Sequence, residues 1–159
     1  MANQIDNTDD IINVSDIIER FEELEGEVDT LKDSLGECHE AYKFHDSEDT
    51  KSTPEWNDLQ GAIKALAEWN EENREEYETL KSLLEELEGN GGDEQWKGVW
   101  YPSSLIRDSY FETYMDEMLE DCGDLPKDLP SYLSITVDYS ALQQDYTSIE
   151  VEGVTYWYR

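Results

Sequence analysis

The sequence predicts an α+β protein, mostly α: a long antiparallel helical hairpin or coiled coil, then a small α+β domain that ends in a β-hairpin. Three observations carry that expectation. Residues 59–88 place Leu59, Ile63, Leu66, Asn70, Asn73, Tyr77, Leu80, Leu84 and Leu87 at alternating intervals of four and three, a heptad seam held for about four heptads. Residues 15–42 repeat the spacing with Ile17, Phe21, Leu24, Val28, Leu31, Leu35, Cys38 and Tyr42. After Gly92 the composition changes, and residues 93–159 hold 12 of the 18 aromatics.

Residues 1–14 read as an acidic flexible lead. The first helix is expected to start at Ser15 or Asp16, both good capping types. Gly26 and Gly36 sit off its seam and weaken it by roughly 1 kcal/mol each. A polar link, residues 43–53, leads to Thr53-Pro54, read as N-cap and first helical residue of the second helix, which Gly89-Asn90-Gly91-Gly92 stops. Similar lengths and a short connection favour an antiparallel pair. The second helix is also apolar at Ala62, Ala67, Trp69 and Leu83, a width that points to a bundle, which a homodimer through the helical seam could supply.

The domains are thus expected at 1–14, 15–92 and 93–159. In the last, a helix is expected at about 109–122, ended by Gly123. Asp138 should cap a short helix running to Gln144. Two alternating runs joined by Glu152-Gly153 read as a terminal hairpin.

Forty-one acidic residues against eleven basic ones give a formal charge of −30. Such a chain repels nucleic acid and anionic lipid, so direct nucleic-acid or membrane binding is not expected, and its electrostatic partners are basic proteins or cations. Low hydrophobicity with high charge also marks disordered chains, but 18 aromatics and the strict periodicity argue against that. No apolar run is long enough to span a bilayer, the N-terminal residues lack the pattern of a signal peptide, and two cysteines make no disulfide framework, so a cytoplasmic setting is expected.

The acids are dense along the helices. Nine carboxylates fall in residues 68–88, one per roughly 3.5 Å of axis at 1.5 Å rise per residue. One strand of B-DNA carries a phosphate per about 3.4 Å. Side by side, the two helices would approach one charge per about 1.8 Å, near the roughly 1.7 Å of the duplex. Like charges at i+3 and i+4, such as Glu68 with Glu71 and Glu72, cost a few tenths of a kcal/mol per pair. A partner groove lined with Lys and Arg would relieve that repulsion. The bland alternative is a solvated face that keeps the chain in solution.

The last third, residues 104–159, carries an acidic helix around Tyr110 to Asp121, then Pro130-Ser131-Tyr132-Leu133, Val137-Asp138-Tyr139 and the closing Glu152-Gly153-Val154-Thr155-Tyr156-Trp157. On these features it resembles the C-terminal part of ArdA-type antirestriction proteins of phages and mobile elements. The helical first half departs from that pattern. The resemblance implies a DNA mimic that evades host defence by occupying the DNA groove of a type I restriction-modification enzyme.

The expected partner is therefore a basic DNA-binding protein of the host. The carboxylates expected to meet it are Glu68, Glu71, Glu72, Glu75, Glu76 and Glu78 on the second helix, Asp33 and Glu37 on the first, and Glu112, Asp116, Glu117, Glu120 and Asp121 on the acidic helix of the last third. The alternative is a coiled-coil assembly protein with acidic solubilising faces, and a lesser one an acidic holder for a basic protein. Cys38, His39 and His45 lack zinc spacing, and residues 46–57 have Lys51 where a calcium loop needs Gly, so neither metal nor other cofactor is expected. No nucleophile or phosphate-loop motif is present, and enzymatic activity is not expected.

Overall fold

A computed structural model describes residues 5, 7–43 and 53–159. The expected fold class is found: two long helices pack as an antiparallel hairpin, and a small antiparallel sheet domain follows. The chain divides into two compact units, Glu19–Leu83 and the combination of Met1–Ile18 with Leu84–Arg159.

The first unit is the hairpin. Helix α1 spans Val14–Lys43 and α2 spans Pro54–Leu87. The Thr53 hydroxyl accepts from the Trp56 amide at 3.3 Å, the N-cap bond that Thr-Pro announces. Phe21 stacks on Tyr77 with centroids 5.2 Å apart, Trp69 meets the edge of Tyr77 at 6.0 Å, and Tyr42 meets Trp56 at 5.5 Å. Early α1 thus faces late α2, which defines the antiparallel register. The seam buries Phe21, Leu24, Val28, Leu80 and, near the start of α2, Leu59, and Leu83 and Trp69 are buried beside it. Toward the other end of the hairpin it loosens: Leu31, Leu35, Cys38, Tyr42 and Leu66 are only half-buried, and Ile63, a seam position by spacing, is 45% exposed. The expected polar link falls almost wholly on residues 44–52, outside the described residues.

The second unit is a four-stranded antiparallel sheet in the order β1-β4-β6-β5, with β1 Ile11–Asn13, β4 Ser104–Arg107, β5 Thr147–Val151 and β6 Val154–Tyr158. On one face Ile106 pairs with Trp157, and helix α3 (Phe111–Asp121) covers them with Phe111 and Met115. The other face buries Ile12, Leu105, Ile149, Val151, Tyr156 and Tyr158, and the helix ends in this unit add the buried Val14, Ile17, Leu84 and Leu87. A small hairpin, β2 (Glu94–Trp96) with β3 (Val99–Tyr101), stands apart from this sheet. Helix α4 (Tyr139–Gln143) starts as expected, with the Asp138 carboxylate accepting from the Ala141 amide at 3.1 Å.

The terminal hairpin lies where Glu152-Gly153 indicated. Both turn residues have positive φ, 49° and 80°, the requirement of a type I′ turn. Lys97-Gly98 makes the same turn, φ 48° and 81°, between β2 and β3.

Three expectations change. Residues 7–13, placed in a flexible lead, are tied to the sheet: Ile12 pairs with Leu105, the Tyr156 hydroxyl donates to the Asp9 carbonyl at 2.7 Å, and the Arg107 amide donates to the Asp10 carbonyl at 2.8 Å. Residues 1–4 and 6 of that lead lie outside the described residues. The expected boundary at 92 is not where the chain divides, because both helices reach into the sheet unit at their adjoining ends. The helix expected at 109–122 is an α-helix only from Phe111, preceded by one 3-10 turn at Asp108–Tyr110.

Candidate functional site

The hairpin's carboxylates are sorted by the seam. Each seam faces the other helix, so residues half a turn away point to solvent. On α2 these are Glu68, Glu71, Glu72 and Glu75, all exposed, with Glu78 exposed on the flank. On α1 they include Asp33 and Glu37, again exposed, with Glu19, Asp29 and Glu40 along the same side. The two acidic rows therefore lie on opposite edges of the hairpin and run antiparallel. They are not side by side, as the combined charge spacing supposed. Helices of about 10–12 Å diameter put the rows roughly 20 Å apart.

Glu76 is the exception. The Arg20 guanidinium donates to both its oxygens, Nε to Oε1 at 2.8 Å and Nη2 to Oε2 at 2.9 Å, and its third arm reaches Glu23 Oε2 at 3.2 Å. The Arg20 and Glu76 side chains are 19% and 18% exposed. The hydrogen bonds to Glu76 are the main reason the Arg20 pKa is raised, against an opposing effect of burial. Glu76 thus belongs to the helix–helix contact and is not presented to a partner. The signal was legible in part: Arg20 is a lone cation within a run of acids. Glu68 makes only an exposed i, i+4 pair with Lys64, 3.5 Å apart, of a kind that holds little.

Beside the α2 row, Gly26, Glu27, Thr30, Leu31 and Trp69 line an open depression of about 460 Å³. The Trp69 Nε1 donates to Glu27 Oε2 at 2.9 Å, so one α1 carboxylate is turned along the hairpin surface. Neither Trp69 nor Glu27 was singled out for this role by the sequence pattern.

Helix α3 is a separate acidic element in the sheet unit. Glu112, Glu117, Glu120 and Asp121 are exposed, while Asp116 is half-buried. The Tyr139 hydroxyl donates to Asp116 Oδ1 at 2.7 Å, and the Tyr110 hydroxyl to Glu117 Oε2 at 3.1 Å. The bond to Asp116, then burial, then the charges of Asp116 and Glu112 push the Tyr139 phenol up to about 12. The Tyr110 phenol is raised for the same first reason, by Glu117. These tyrosines stay protonated donors that fix carboxylates in place.

Among the described residues, no group of three or more His, Cys, Asp or Glu side chains is arranged to hold a metal ion. Cys38 is half-buried in the seam and Cys122 exposed, both as thiols, and His39 is exposed. His45 and most of the acidic stretch 46–57 lie outside the described residues. No described helix is long and apolar enough to cross a membrane. Comparison with protein-family models, with curated proteins and with solved structures finds no match to this chain.

Proposed function

We propose that this chain is an acidic DNA mimic that inhibits a host DNA-binding defence protein, a type I restriction-modification enzyme, by occupying its DNA-binding groove. One observation carries the reading: two exposed, antiparallel rows of carboxylates on opposite edges of a hairpin, almost without lysine between them. The α2 row, five carboxylates from Glu68 to Glu78, comes at roughly one per 4 Å of axis, near the phosphate spacing of one DNA strand, about 3.4 Å, and the α1 row is about half as dense. The resemblance of residues 104–159 to ArdA-type proteins supports the choice of target, and exposed Glu112, Glu117, Glu120 and Asp121 offer a second acidic surface.

The attraction is electrostatic. Like-charge neighbours on each helix are held together at a cost of a few tenths of a kcal/mol per pair, and a Lys- and Arg-lined groove would relieve it. Binding should therefore weaken steeply as salt rises, as phosphate contacts do. The test is DNA cleavage by a purified type I enzyme, with the chain and duplex DNA titrated against each other. Competitive inhibition that fades with salt is expected. Inhibition that duplex DNA cannot relieve, or none at any salt, would sink the proposal.

A second reading, a coiled-coil assembly protein, is favoured by the half-exposed far seam, Ile63 above all. It predicts partner binding through apolar residues, insensitive to salt.

A further inference from the structure

The hairpin unit is divided sharply along its length. Residues 19–30 and 68–83, 28 positions together, carry twelve acids and three cations, a net charge of −9. Residues 31–43 and 53–67, also 28 positions, carry five acids and three lysines, a net −2. The seam changes at the same place. In the charged half Phe21, Leu24, Val28 and Leu80 are buried and Asn70, Asn73 and Tyr77 half-buried, whereas in the near-neutral half Leu59 is buried but Leu31, Leu35, Cys38, Tyr42 and Leu66 are half-exposed and Ile63 is 45% exposed. One hairpin alone leaves this stretch of seam incompletely covered.

We propose that the near-neutral half of the hairpin is a homodimer surface, on which the same stretch of a second copy packs seam against seam. The charge pattern selects the occupant. A basic partner is drawn to the carboxylate rows and finds little attraction here. An acidic partner other than this chain gains nothing from a surface that is itself slightly negative. A second copy, otherwise repelled by a charge of −30, can approach closely only where its own acids thin out.

The dimer leaves the α2 row and Glu19 and Asp29 of the α1 row exposed in the charged half, and Asp33, Glu37 and Glu40 face away from the seam, so it extends the proposed inhibitor without depending on it. Its salt dependence has the opposite sign: screening removes the repulsion between the charged parts, and association strengthens as salt rises.

Sedimentation equilibrium of the full chain at low and high salt tests this. The expected mass approaches twice the chain's 18.5 kDa, more completely at high salt. Ile63→Lys, at an already exposed position, should weaken association at least about tenfold while helix content by circular dichroism is unchanged. If the lysine disturbs the helix, Ile63→Asn carries the same expectation. Leu133→Lys, on the exposed loop of the sheet unit, should leave the dimer intact. A monomer at every concentration and salt would overturn the proposal. So would a dimer that both Ile63 variants leave intact, or one that Leu133→Lys disrupts.

Discussion

Arg20 grips both carboxylate oxygens of Glu76, at 2.8 and 2.9 Å, across the two helices of the hairpin. Both side chains are about four-fifths covered. A paired charge in that setting is costly to strand, because removing one partner leaves the other desolvated and unmatched. Arg20→Met should therefore destabilise the hairpin by about 2 kcal/mol, since Glu23 and Glu76 then repel each other beside the seam. Replacing both, Arg20→Met with Glu76→Leu, should recover most of that loss. Urea unfolding followed by circular dichroism measures both. A single variant as stable as the parent would show the pair to be dispensable.

The same contact dictates which carboxylates can test the proposed DNA mimicry. Reversing Glu76 would unfold the hairpin locally and confuse lost binding with lost structure. Glu68, Glu71, Glu72 and Glu75 are exposed and face away from the seam. Changing these four to Lys should leave the unfolding midpoint nearly unmoved and abolish the proposed inhibition of a DNA-binding protein. At about 1 kcal/mol or more per reversed charge at an interface, the affinity should fall on the order of a thousandfold. Unchanged inhibition would remove the α2 row from the site and leave the α1 row and α3 as the remaining surfaces.

How much of this was legible in the sequence depends on the length of each signal. The hairpin was, because heptads over some thirty residues outweigh any local exception, and Thr53-Pro54 names its own cap. The Glu152-Gly153 turn was, since few residue pairs tolerate two positive φ values in succession. Strands β1 to β4 were not. Each has three or four residues, too few for alternation to register, and Ile11–Asn13 owes its pairing to Ser104–Leu105–Ile106, over ninety residues away. The acidic character of the site was plain, but which carboxylates face solvent was not. Glu76 and Glu75 are neighbours of equal chemistry, and only the crossing of Arg20 from the other helix separates them.

Glycines of the two units should respond in opposite directions to alanine. Gly91 has φ +70°, and a Cβ there would lie 2.6 Å from the Pro102 Cα. Gly91→Ala should cost about 2 kcal/mol or more, combining left-handed strain with a backbone clash. Gly36 and Gly61 lie inside α1 and α2, where an added methyl would meet nothing within 4 Å beyond its chain neighbours and the adjoining backbone of its own helix. Alanine at either should stabilise the hairpin by about 0.5–1 kcal/mol through helix propensity. Thermal unfolding of the three variants checks the signs. Stabilisation by Gly91→Ala would contradict the close approach of residue 91 to Pro102.

Tyr139 and Asp116 provide a pH-dependent test of the sheet unit. Donation at 2.7 Å to an ionised carboxylate, with burial and the charges of Asp116 and Glu112 behind it, holds the phenol up to about 12. The ordinary tyrosine value is about 10. The folded-state pKa is raised, so the protonated phenol is the stabilising form. Its contribution is fully present below about pH 10 and is lost as pH rises through about 12. Ultraviolet titration of the parent against Tyr139→Phe should isolate one phenol ionising near pH 12. Asp116→Asn removes the charge and should bring that ionisation down toward 10. It should also loosen the link between α3 and α4, read as faster amide exchange at Ala141 and Leu142. A Tyr139 phenol already titrating near 10 in the parent protein would mean that the bond to Asp116 does not form in solution.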